Sequence, residues 1–281
     1  MSKVTCSSPL SKLSAKLALP LLIALCLSAA AQVGNRNPNE LARSILNNEI
    51  KSEAQDQSHW MFRLSTEKAG GGSETDEVVE TKDGDLRRPL LINGRKTSDK
   101  EANRRVQQLA HDSGALHRSL REKNEDTARS QRMLKMLPDA FVFQYGEAKG
   151  NVVELKFSPN PKFKPPSHEA QVFHAMQGSL WLDTKQSRLQ GISGRLMYEV
   201  KFGGGFLGHL DPGGTFEVKQ AEVAPGYWEL TLLNVHMKGK ALFFKTIAVQ
   251  QRNSRTDFKR IADTVTAAKG AEMLLEQTQA R

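Results

Sequence analysis

The chain has 281 residues, with 40 Lys plus Arg against 31 Asp plus Glu for a formal net charge of +9; 38% of residues are hydrophobic and 25% charged. That balance excludes both a polytopic membrane protein and wholesale disorder, and the length suits one domain or two small ones. A chain of this size buries roughly 70 to 75% of its unfolded surface, enough for a core without covalent staples.

Lys3, Lys12 and Lys16 precede an uncharged run of 15 residues from Leu17 to Ala31 that ends in small side chains. This is the three-part pattern of a secretory signal over residues 1–31, with cleavage near Ala31, and the run is short of the roughly 20 residues that span a bilayer. Cys26 follows Leu25 rather than a small residue, so lipidation there is not expected. Cys6 and Cys26 both fall in this leader, which leaves 281 − 31 = 250 residues without a thiol and a charge of +9 − 3 = +6. The product is expected in the periplasm or secreted, where an oxidising environment has no cysteine to act on.

Asn37-Pro38-Asn39-Glu40, followed by Leu41, Ile45, Leu46 and Ile50, predicts an amphipathic helix over about 38–55. Trp60, Phe62 and Leu64 alternate as in a strand, and Gly70-Gly71-Gly72 marks a loop. Asp83-Gly84, between Val78-Val79 and Leu90-Leu91-Ile92, signals a hairpin. Ser98 and Glu101 have the spacing of a capping box and open a charged helical region at about 98–137, in one or two pieces, closed by Pro138. From Phe141 to about Gln251 the period shifts toward two, giving a meander of long antiparallel strands cut at Ser158-Pro159-Asn160-Pro161, Asp211-Pro212-Gly213-Gly214, Pro225-Gly226 and Lys238-Gly239-Lys240. Leu196, Tyr198, Val200 and Phe202 read as one alternating strand, and further strands are expected at 215–223, 228–237 and 241–250. Asp257-Phe258 leads into a C-terminal helix weakened at Gly270.

The motifs that carry chemistry are thin. Gly203-Gly204-Gly205-Phe206-Leu207-Gly208 has the letters of a dinucleotide loop, but the residues after it cannot form the helix whose N-terminus holds a pyrophosphate, so a glycine-rich strand end is the better reading. His168 and His174 are six apart in what reads as a strand, without the four-residue helical spacing of a zinc pair and without a third strong ligand. Gly191-Ile192-Ser193-Gly194-Arg195 misses the nucleophile-elbow pattern at its last position, and a chain without thiols has no cysteine chemistry. No enzyme, metal or cofactor is therefore expected. Nine basic residues lie between Lys100 and Lys135, but Glu101, Asp112, Glu122, Glu125 and Asp126 are interspersed, so this reads as a solvated helix face rather than a nucleic-acid surface. Part of it is a candidate for peripheral contact with acidic head groups of the envelope membrane.

The order of leader, helix, hairpin strands, helical segment and long meander resembles the periplasmic outer-membrane lipoprotein-carrier superfamily (LolA/LolB/LppX-like), in its uncharacterised exported branch. The stretches from Gly178 to Phe216 and from Gly226 to Ile247 carry the resemblance, which is one of strands and turns without signature catalytic residues. It implies an α+β fold in which a strongly curved antiparallel sheet, an incomplete barrel, is covered by helices over an apolar interior that accepts acyl chains. The charged region at about 98–137 departs from the compact carriers.

The expected function is thus a single exported, non-enzymatic domain over residues 32–281 that binds a lipid acyl chain or an acylated lipoprotein in an apolar cleft. From strand alternation, the candidate lining is Leu155, Phe157, Met176, Trp181, Tyr198, Trp228, Leu232 and Phe244. The competing reading is an envelope-interaction protein with a packed interior that docks an acidic partner through its basic helices.

Overall fold

A computed structural model describes residues 36–241 and 250–276. The expected leader, the strand predicted beyond Ala241 and the candidate Phe244 lie outside the described residues. The helices and strands of the described residues all belong to the unit Pro38–Arg281.

The first helix, α1 (Pro38–Gln55), has the predicted bounds and buries the predicted Leu41, Ile45 and Leu46. Strands β1 (His59–Lys68), β2 (Ser73–Val79), β3 (Leu86–Ile92) and the short β4 (Arg95–Lys96) follow as successive hairpins. Helices α2 (Asp99–His111) and α3 (Ser113–Ala140) come next. Ser98 Oγ accepts the Glu101 amide at 3.3 Å, half of the predicted box, while the Glu101 carboxylate turns to Arg104 and Arg105 instead of back to the cap. Asp112 separates the two helices and caps the second by accepting the Ala115 amide at 2.8 Å. Pro138 does not close α3: it sits inside the helix, which runs on to Ala140.

The meander consists of β5 (Phe141–Lys149), β6 (Val152–Pro159), β7 (Met176–Asp183), β8 (Arg188–Leu196), β11 (Thr215–Ala224), β12 (Tyr227–His236) and β14 (Gln250–Ile261). Three short strands, β9 (Val200–Phe202), β10 (Gly208–Leu210) and β13 (Gly239–Ala241), form a separate small sheet. The alternating run at 196–202 is thus broken: β8 ends at Leu196 and β9 starts at Val200. The 203–205 glycines form a 3-10 turn in which all three have positive φ, a conformation glycine adopts without strain, and the strand β10 rather than a helix follows. His168 and His174 flank and end a 3-10 turn over Glu169–Ala175 rather than sharing a strand face. Asp257-Phe258 belongs to β14, and the last helix, α4, spans Ala267–Glu276.

Eleven strands form one antiparallel sheet in the order β4-β3-β2-β1-β14-β12-β11-β8-β7-β6-β5. The sheet is not closed: β4 and β5 remain its edges, as the expected incomplete barrel requires. Register shifts in β1–β14, β2–β3, β5–β6, β7–β8 and β11–β12 insert the extra residues that bend and coil a sheet.

Helices cover the two ends of the sheet on opposite faces. At one end α1 crosses the face carrying Phe143, Leu155 and Leu180: Asn39 pairs with the Phe141 carbonyl and the Phe143 amide of β5, and Glu49 accepts the Leu189 amide of β8 at 3.1 Å. We term this the inner face. At the other end Met61, Val79 and Leu86, on the opposite face of β1–β3, pack with Val106 of α2, Leu116 of α3 and Ala267, Ala271 and Leu274 of α4. The charged helical region therefore contributes core residues to the domain.

Candidate functional site

Strand registers trace one inner row across seven strands: Leu155, Leu180, Ile192, Val218, Leu233, Asn253 and Thr66. Directly paired residues share a face, so this row crosses the inner face from β6 to β1. Leu155 and Leu180 are 0% exposed and Ile192 is 9% exposed. Beyond them Val218, Leu233, Asn253 and Thr66 are only half-buried.

A parallel row runs Phe157, Gly178, Gly194, Phe216, Val235. The two glycines have a packing reason: a Cβ at Gly194 would stand 2.8 Å from the Phe216 ring, which lies across the glycine. Phe157 belongs to an aromatic cluster with Phe141 at 4.5 Å and Phe143 at 6.3 Å between ring centroids, and Phe173 joins it at 5.4 Å from Phe141. This end of the interior is filled. Phe216 itself remains half-buried.

Near the β14 end of the inner row lies a group of interacting charged side chains. Lys123 of α3 binds Glu80 Oε1 at 2.7 Å and Asp85 Oδ1 at 3.4 Å. Burial alone would lower the Lys123 pKa, but Asp85 and then Glu80 outweigh it and raise it. The other oxygen of Glu80 accepts the Trp60 amide at 3.1 Å. Glu229 of β12 joins this group: burial, then the negative charge of Glu80, pushes it up to about 7, against the pull of Arg255. Arg255 pairs across the strands with Leu64 and lies over the Phe62 ring at 5.1 Å. Its Nε and the Oδ1 of Asn253, two residues along the same face, are buried without a hydrogen-bond partner among the described residues. Leu120 and Thr127, near one turn on either side of Lys123, are half-buried on that side of the helix.

The eight candidates from alternation are not gathered at one surface. Leu155, Phe157 and Met176 are buried on the inner face, in the filled end. Trp181 and Leu232 belong to the outer row Glu154, Trp181, Gly191, Lys219, Leu232, Ser254, on the face opposite Leu155. Tyr198 lies beyond the end of β8, 54% exposed, its hydroxyl donating to the His174 carbonyl at the rim of a shallow depression with Pro165, Val200 and Lys201. Trp228 is buried, stacked 5.3 Å from the Arg188 guanidinium, and donates to Gln186 Oε1 at 3.0 Å. Strict period-two reading of β7 would have chosen Leu180 and Leu182 over Trp181, since those two share the parity of Met176. The charged group left no sequence signal, because Glu80, Lys123, Glu229 and Arg255 come from four distant segments.

No protein-family model and no curated protein matches the chain. Among solved structures, the crystal structure of a DUF1329 family protein from Desulfovibrio piger is similar at 9% identity, covering 83% of this chain and 99% of that one, with a TM-score of 0.29. At that score the likeness is too loose to carry a residue, a ligand or a function across.

Proposed function

We propose that this is an exported, non-enzymatic protein that binds a lipid acyl chain, free or on an acylated lipoprotein, against the inner face of its sheet. The observation that supports the reading is the inner row itself: Val218 and Leu233, with Phe216 beside them, are left half-covered between the buried Leu155 and Leu180 on one side of the same face and the buried Phe62 and Leu64 on the other. Apolar side chains in that position favour an apolar ligand, at about 0.8 kcal/mol per methylene buried. The acyl chain would lie over β8, β11 and β12, and not along the set picked by alternation. The competing reading, docking of an acidic partner on basic helices, has less support: of the nine basic residues between Lys100 and Lys135, Arg104, Arg105, Lys123 and Arg129 are already paired with carboxylates of the same molecule.

The test is native mass spectrometry of protein purified from an envelope fraction without detergent, followed by organic extraction. A stoichiometric acyl-containing adduct is expected. A bare mass that stays bare after incubation with envelope lipids would overturn the proposal in favour of partner docking.

A further inference from the structure

We infer that Arg255 and Asn253 form a polar anchor for this cleft, and that the ligand carries an anionic head, a carboxylate or a phosphate, at the end of its apolar chain. The inference rests on the lipid-binding reading and deepens it.

Three observations carry it. First, Leu233 pairs directly with Asn253, so the inner row changes from apolar to polar within one strand spacing. A chain lying over Val218 and Leu233 delivers its head to β14. Second, the Arg255 guanidinium is held in place, stacked over Phe62, yet among the described residues its Nε is buried without a partner and no carboxylate lies within 4.0 Å of it. A desolvated N–H left unpaired is costly, and the guanidinium fork to which it belongs matches the two oxygens of a carboxylate or phosphate. Third, the carboxylates around it are occupied. Glu80 and Asp85 are held by Lys123, and Glu229, raised to about 7, neutralises Arg255 only in part at neutral pH. Asn253 adds a second buried hydrogen-bonding group on the same face, able to meet a head-group hydroxyl or oxygen, whichever way its amide is turned.

The experiment is a titration of the purified protein at pH 6.5, where Glu229 is largely protonated, with three probes of one chain length: a fatty acid, its methyl ester and a lysophosphatidic acid. At least one anionic probe is expected to bind about tenfold more tightly than the ester, as a charge-assisted hydrogen bond predicts, and the tighter of the two identifies the carboxylate or phosphate source. Arg255→Met is expected to bring the anionic probes to the level of the ester while leaving the ester within about twofold, and Arg255→Lys to restore part of the difference. Equal binding of all three probes by the parent protein overturns the anchor and leaves the cleft standing. If none of the three binds, the cleft reading itself fails and the anchor with it. Should Arg255→Met not fold, the ratio of acid to ester in the parent protein still decides.

Discussion

Glu229 is the side chain whose ionisation the fold opposes most visibly. Burial, reinforced by Glu80 and Asp56 and opposed by Arg255 and Lys123, raises its pKa from 4.5 to about 7. Between those two values the folded protein holds a proton that the unfolded chain has released, so stability falls as pH rises through that window and is undiminished below it. Asp76, raised from 3.8 to about 6 by burial and then Glu74, acts in the same direction at slightly lower pH. Glu229→Gln is therefore expected to be more stable than the parent at pH 8, by about 2 kcal/mol, and to match it within about 0.5 kcal/mol at pH 4.5. Urea unfolding at the two pH values checks this, and a difference that does not change with pH would mean that the carboxyl titrates normally. Single residues were also the least legible part of the sequence. Alternation fixes parity within a strand but not which parity is inner, and choosing the larger ring at Trp181 put the outer face where Leu180 belongs. Tyr198 shows the second difficulty: it keeps the parity of Leu196 and Val200, but the strand has already ended.

Among elements, α1 shows how local and long-range determinants combine. Its start at Pro38 and its buried stripe were readable, because proline and apolar spacing act within one turn or two. Its docking was not, since the contact that fixes it spans 139 residues: Glu49, nearly fully buried, receives two bonds from Arg188 at 2.8 and 2.9 Å and the Leu189 amide besides. Removing one member of such a pair strands the other in a desolvated site, so Glu49→Ala is expected to cost about 3 kcal/mol, while Glu49→Leu with Arg188→Leu together cost less than the sum of the two single changes. Denaturant unfolding of these variants measures this, and a Glu49→Ala cost under about 1 kcal/mol would mean that α1 is held by its apolar face alone. β14 was misread for a related reason. Its segment Asp257–Ile261 mixes strand-favouring Phe258 and Ile261 with three charged residues and is a strand because β1, about 200 residues earlier, pairs along it.

At the scale of the whole molecule, the sheet has two closed ends and an incompletely covered middle. The aromatic cluster around Phe141 and Phe157 closes one end of the inner face, and the buried cluster of Trp60, Phe62, Leu64 and Val78 closes the other. Strands β11 and β12 between them keep only Trp228 and Val235 fully buried. Local stability follows buried apolar contact, so the amides of β6 and β7 are expected to exchange with solvent only through global unfolding, and those of β11 and β12 through smaller openings, at least about tenfold faster. A ligand that binds the folded state alone raises its stability by mass action, and the gain should concentrate where the ligand touches. Hydrogen exchange with and without a saturating anionic amphiphile thus separates two kinds of molecule. Selective slowing in β8, β11, β12 and β14 is the outcome expected of a sheet built to be completed by its ligand. Uniform protection of all these strands in the free protein, unchanged by the amphiphile, would mean that the half-buried row is ordinary surface.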